Sequence, residues 1–181
     1  MRSIIKKILI EETGGGLSGV DGYLKALAQM TSGKQKEYYE YLLNSMSKVN
    51  VGSYRDSKVL TYHVDKLRRE MPDTETFCKK KGCYDTAVNL SVRTHDITIN
   101  YIEGYVQAII PIVHAWNYYE PENIYFDLIN DIAWEGDSGF SEYYEILNFG
   151  RYELMTSLDL TGYAGGFLQD PKFIREVLID F

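Results

Sequence analysis

An α+β fold is what this 181-residue sequence predicts, with helices leading and a small antiparallel sheet following. Three observations carry the prediction. Apolar residues recur at helical spacing between residues 20 and 70. Three apolar, β-branched or aromatic runs separated by short turns lie between residues 100 and 131. Between these parts, a segment opening on Gly82 and Cys83 has the pattern of one more helix, able to pack on the sheet.

In chain order, residues 4–10 read as a short strand or a first helical turn, and GGGLSG after them is a flexible break. That glycine run lacks the lysine and hydroxyl residues of a phosphate cradle, so it reads as a loop. Val20 to Met30 forms a helix with Tyr23, Leu24, Leu27 and Met30 on one stripe. Lys36 to Val49 forms a second through Tyr39, Leu42, Leu43 and Met46, stopped by Asn50 and Gly52. Asp56 to Glu70 is a third, closed by Met71 and Pro72, because proline removes a donor and restricts the residue before it. His63 falls on its surface or boundary.

The Cys83 helix runs to about Arg93 through Ala87, Leu90 and Val92. NYIEGYVQ is then a strand, Gln107 and Ala108 a turn, and IIPIVHAWNYY a second strand with Pro111 near its start, where a lost donor is tolerable. Glu120 to Asn123 turns the chain into a third strand, IYFDLIND. Residues 131–140 form a loop bordering the site. Tyr143 to Leu147 and Leu154 to Leu158 are short apolar groups, Gly162 to Gly166 is a break, and Pro171 to Phe181 is a helix covering one face of the sheet.

The length suits one hydrophobic core and is short for two. A single domain over 1–181 follows, mainly helical over 1–72, with a core at 73–181 that carries the candidate catalytic residues. With 45% hydrophobic and 25% charged residues, the composition is that of a globular chain that folds by itself. A net charge of -7 removes the general attraction to nucleic acid and to anionic membranes, and suits a basic protein or peptide substrate; Lys79, Lys80 and Lys81 form a local positive run. The first apolar segment is too short for a signal core or for the roughly 20 residues of a membrane span. Two cysteines, Cys78 and Cys83, cannot form a multi-bridge framework, so a reducing, cytoplasmic setting is the simpler expectation. The sixteen tyrosines are interleaved with acids, as in EYYEY and SEYYEI, which argues for packing over stacking on nucleic-acid bases.

Chemistry concentrates at Cys83. A cysteine at a helix start lies among unpaired backbone N–H groups and the positive end of the helix dipole, which stabilise a thiolate and can hold an oxyanion. His114 lies in the second strand and Asp127 in the third. The simplest hairpin, centred between residues 120 and 121, sets them opposite one another, with the carboxylate orienting the imidazole. Asp131 and Asn130 compete with Asp127 for that role. Tyr105 and Trp116 are candidate substrate-pocket walls. Glu103, between Tyr101 and Tyr105, is either a structural acid paired with Arg93 or a substrate-binding acid reaching into the site. No cofactor is called for, and a metal set drawn from Cys78, Cys83, His95 and His114 has spacing too wide for a zinc knuckle.

The segments GCYDTAVNL, YIEGYV, PIVHAWNYY and IYFDLIND resemble papain-like and transglutaminase-like cysteine proteins of bacteria and phages. The resemblance covers about residues 80–131 and extends faintly through SEYYEILNF and LTGYAGGFL. It implies a papain/transglutaminase-like core and a Cys83, His114, Asp127 triad, hence thiol-dependent acyl chemistry on an amide or peptide: peptidase, amidase, deamidase or transglutaminase. The chain departs from that pattern in having Leu128 and Ile129 after Asp127, Thr86 in the cysteine motif, and Asn89 displaced. It also lacks a glutamine before the cysteine, where Thr76, Phe77 and Cys78 stand. The alternative is a catalytically silent phage or bacterial accessory protein that inhibits a host protein.

Overall fold

In a computed structural model, residues 19–71, 78, 81–162 and 165–179 are described, and they form a mixed α+β fold in which N-terminal helices pack on a curled, half-barrel sheet. Helix α1 spans Gly19–Met30 and α2 spans Lys34–Ser45. α1 buries Val20, Leu24 and Ala28, and α2 buries Leu42. Each of the valine and leucine side chains taken from water stabilises the fold by about 1.5–3 kcal/mol. The expected residues 4–10 and the three lysines' neighbours Thr76 and Phe77 lie outside the described residues, as do Lys79 and Lys80.

The second helix ends earlier than its sequence pattern suggests. Met46 is extended, and Ser47–Val49 becomes strand β1, followed by β2 at Val51–Gly52. Local periodicity loses here to pairing: Ser47, Lys48 and Val49 face Glu145, Tyr144 and Tyr143 in a strand about a hundred residues away. A 3₁₀ turn at Tyr54–Asp56 then leads into α3, Lys58–Glu70. The Ser57 side chain caps α3 by accepting the Leu60 N–H, so the helix starts two residues later than expected. α4, Cys83–Arg93, begins and ends where the sequence pattern places it.

The sheet is larger than the small antiparallel meander the sequence suggests. β3 is Asn100–Gln107, β4 Pro111–Tyr119, β5 Ile124–Phe126 and β6 Glu142–Phe149. Their order is β1-β6-β3-β4-β5-β2, antiparallel except for the parallel β5–β2 pair. β1 and β2 sit at opposite edges although only Asn50 separates them, so the chain itself draws the two edges together. Burial raises the pKa of Tyr125 in β5, and Glu145 of β6, across two intervening strands, lies near enough for its carboxylate to raise it further.

β6 escapes a period-two reading because it carries a bulge: Leu147 pairs with Glu103 and Glu145 with Gly104, leaving Ile146 as the extra residue. Its buried residues, Tyr143 and Leu147, are four apart and fall in different cores. Gly104 is required at the bulge: a Cβ there would lie 2.0 Å from the Tyr144 carbonyl oxygen. The concave interior is filled by Ile102, Val106, Trp116 and Tyr143, whereas Tyr101, Tyr105, Ala115 and Leu147 face the helices. On that outer side the Asn117 amide of β4 donates to the Ala87 carbonyl and the Ser91 hydroxyl, both 3.0 Å away, which fixes α4 against β4.

Helix α5, Arg151–Thr161, accounts for the apolar group at Leu154 to Leu158. The final helix is one α turn at Pro171–Phe173 continued as π-helix over Ile174–Leu178, with Phe173 buried. None of the described helices is long and apolar enough to cross a membrane.

Candidate active site

β5 stops at Phe126, its third residue, because the next side chain ends the strand. The Asp127 Oδ1 oxygen accepts the N–H groups of Ile129 at 2.9 Å and Asn130 at 3.2 Å, turning the backbone into a π-helical segment over Ile129–Ala133. This also corrects the expected register. β4 pairs with β5 through Asn117 with Phe126, Tyr118 with Tyr125 and Tyr119 with Ile124, so Asp127 does not oppose His114. The two meet diagonally, His114 lying two places further along β4 than a direct partner of Asp127 would. A diagonal separation on one face is within reach of long or aromatic side chains.

The contact itself is short and dry. His114 Nε2 lies 2.7 Å from Asp127 Oδ2, with His114 3% and Asp127 1% exposed. A carboxylate accepts, so Nε2 is the donor and Nδ1 is the ring nitrogen left for another partner. Cys83 is close enough to act on the same imidazole, favouring its protonated form. Burial alone would lower the His114 pKa. The Asp127 carboxylate, and then Cys83, reverse this and raise it to about 10. The structure therefore brings His114 and Asp127 into direct contact, with Cys83 near enough to bias the same ring.

Cys83 is the first residue of α4 and 9% exposed. Gly82 before it provides no side-chain cap, and the first ladder bond runs from the Thr86 N–H to the Gly82 carbonyl at 3.0 Å. The N–H groups of Cys83, Tyr84 and Asp85 precede that bond and have no carbonyl four residues back within the helix, so they are the donors this helix start offers. Cys78 differs. Its thiol donates to the Leu128 carbonyl at 3.1 Å, and burial pushes its pKa up to about 12. Neither cysteine is in a disulfide.

Of the candidate substrate-binding residues, Trp116 stands beside the imidazole, ring centroids 6.1 Å apart, and its buried Nε1 has no hydrogen-bond partner among the described residues. Tyr105 lies on the helix-facing side, tilted against Tyr23. Glu103 is fully buried and pairs across from Ala115, not His114. Its partner is not Arg93, whose Nε donates to Asn89. The carboxylate instead accepts from the Tyr101 hydroxyl at 2.6 Å and from the N–H groups of Gly166, Phe167 and Leu168. Burial raises the Glu103 pKa to about 7 against the lowering effect of those four donors. Asp131 is engaged elsewhere as well, accepting from the Ser53 hydroxyl and the Tyr54 N–H.

Two residues join the site that sequence reasoning did not assign to it. The Tyr143 hydroxyl donates to Asp127 Oδ2 at 3.0 Å. Phe140 sets its ring edge-on to His114 at 4.9 Å, from the loop expected to border the site. The SEYYEI segment offered a signal for Tyr143 only as a paired tyrosine, with no means of telling which ring faces inward. At the opposite end of α4, His63 is buried and lines a cavity of about 200 Å³ with Lys66, Arg93 and His95. Among the described residues, no group of three or more His, Cys, Asp or Glu side chains is placed to hold a metal ion. Comparisons with protein-family models, with curated proteins and with solved structures find no match to this chain.

Proposed function

We propose that the protein carries out thiol-dependent acyl chemistry on an amide or peptide, with Cys83 as nucleophile, His114 as acid and base, and Asp127 as the orienting carboxylate. The observation that carries this reading is the buried His114–Asp127 pair, which commits Nε2 to the carboxylate and leaves Nδ1 for a cysteine at a helix start. A helix-borne cysteine packed on a curled sheet that supplies the imidazole is also the arrangement that the resemblance to papain-like and transglutaminase-like proteins implies.

The steps follow from the three groups. The Cys83 thiolate attacks the carbonyl carbon, and negative charge moves to the carbonyl oxygen, held by the N–H groups at the start of α4. The tetrahedral intermediate collapses, the C–N bond breaks, and the His114 imidazolium gives its Nδ1 proton to the departing amine. In the resulting thioester a water or acceptor amine adds to the carbonyl while neutral His114 takes its proton. The C–S bond then breaks and the thiolate–imidazolium pair is restored.

The test is the rate of Cys83 alkylation by iodoacetamide from about pH 5 to 9, in a Cys78→Ser background, beside His114→Ala and Asp127→Ala. Labelling that persists well below the free-thiol pKa of about 8.5 and is lost with His114 is the expected result. An ordinary thiol profile, unchanged by either substitution, would overturn the assignment. The low exposure of Cys83 and His114 favours the second reading, a binding module whose buried polar pair only supports the fold. That reading predicts the ordinary thiol profile together with a loss of stability when His114 is replaced.

A further inference from the structure

Asp127 has a second side-chain donor on the oxygen that serves His114. Oδ2 accepts from His114 Nε2 at 2.7 Å and from the Tyr143 hydroxyl at 3.0 Å, while Oδ1 is held by the N–H groups of Ile129 and Asn130. The backbone pair already fixes the orientation of the carboxylate, so the phenol is not needed to aim it. What the phenol changes is the charge on Oδ2: a hydrogen bond drawn to that oxygen weakens its hold on the imidazolium sharing it. Tyr143 is itself buried, with its ring against His114, Trp116 and Phe140. Burial, then Asp127 and Asp131, raise its pKa, so it stays a donor throughout the working pH range.

This inference rests on the thiol reading above. We infer that Tyr143 is a positioning residue acting through Asp127, which limits how strongly the carboxylate stabilises the His114 imidazolium and so lets the ring release its proton to the leaving amine. An unshared carboxylate in a dry site would hold that proton too firmly for the acid step. The charged and titratable groups acting on this cluster are Asp127 and Asp131 from the segment after β5, Cys83 from α4, and Cys78 on the other side of Asp127.

The experiment is the pH profile of Cys83 alkylation in the full chain, in a Cys78→Ser background, comparing wild type, Tyr143→Phe, and 3-fluorotyrosine placed at position 143 alone. In a thiolate–imidazolium pair the rate rises in two steps, the upper one marking loss of the imidazole proton. Tyr143→Phe keeps the ring and removes only the hydroxyl, so the upper step should move up by about one pH unit, the size of a hydrogen bond to a charged group. Fluorotyrosine is a stronger donor of the same shape and should move the step down. A merely structural tyrosine would change thermal stability and leave both steps in place. An upper step that stays fixed, or moves down in Tyr143→Phe, overturns the role of Tyr143 while the wild-type low-pH labelling still stands. Absence of low-pH labelling in the wild type removes the thiol reading and this inference together.

Discussion

Glu103 and Asp127 are both buried acids that end up with a tyrosine hydroxyl and backbone N–H groups as donors, yet they occupy opposite sides of the sheet and differ in one partner. Glu103, on the helix-facing side, has Tyr101 and the N–H groups of Gly166 to Leu168. Asp127 has Tyr143, the N–H groups of Ile129 and Asn130, and the imidazole of His114. All of the Glu103 donors are fixed, so its chemistry is exhausted by holding the chain at residues 166–168 against β3. Asp127 touches a group that can change protonation and on which Cys83 also acts. A buried carboxylate is therefore a weak sign of a site until its partners are known, and a titratable partner with a second open contact is the stronger sign.

The sharpest way to separate the two acids is to delete each region's central contact. Glu103→Ala strands three backbone donors and a phenol, and urea unfolding should show a loss of about 4 kcal/mol. Whatever remains folded should label at Cys83 with the wild-type pH profile. A changed profile would tie Glu103 to the site after all. His114→Ala should do the reverse in chemistry, slowing Cys83 alkylation at pH 6 about three hundredfold, the ratio expected when a largely ionised thiol reverts to a free-thiol pKa near 8.5.

The two regions should also report in different pH windows. Glu103 has its folded pKa raised from 4.5 to about 7, so the stability linked to it is complete below about 4.5 and falls as pH rises through 7. His114 has its folded pKa raised from 6.5 to about 10, so its contribution is complete below about 6.5 and falls as pH rises through 10. Each slope is at most about 1.4 kcal/mol per pH unit. Stability measured against pH should lose the lower slope in Glu103→Gln and the upper one in His114→Gln. Loss of both slopes in one variant would mean the two sides are coupled. The smallest effect expected is that of Phe140→Ala, which uncovers one edge of the imidazole and should speed alkylation of Cys83 about threefold, an exposure effect of under 1 kcal/mol. No change there would place the route to the thiol elsewhere.

Much of the candidate site could be read along the chain because its signals are local. The run from Gly82 into Ala87, Leu90 and Val92 is a helix start on pattern alone, and α4 does begin at Cys83. The strands carrying Glu103 and His114 follow equally from β-branched and aromatic runs bounded by turns. Tyr143 was not legible, since its inward direction depends on a bulge at Ile146 that resets the alternation of β6. The exact meeting of His114 and Asp127 was only half legible: the shared strand pair was visible, but the turn at Glu120–Asn123 set a register two residues away from the symmetric hairpin, and a carboxylate capping its own turn shortened β5.

What the sequence determined by itself, then, is the helical lead, the cysteine at the start of α4 and the hairpin that follows, all set by periodicity, turn residues and caps within a dozen positions. Tertiary structure decided the rest. Ser47–Val49 became a strand because β6 offered it a partner, Asn50 carried the chain from one edge of the sheet to the other, and the resulting curl turned Trp116, Tyr143 and His114 toward a common interior. Those outcomes depend on pairing between residues as much as a hundred positions apart, and their free energy exists only when both partners are present.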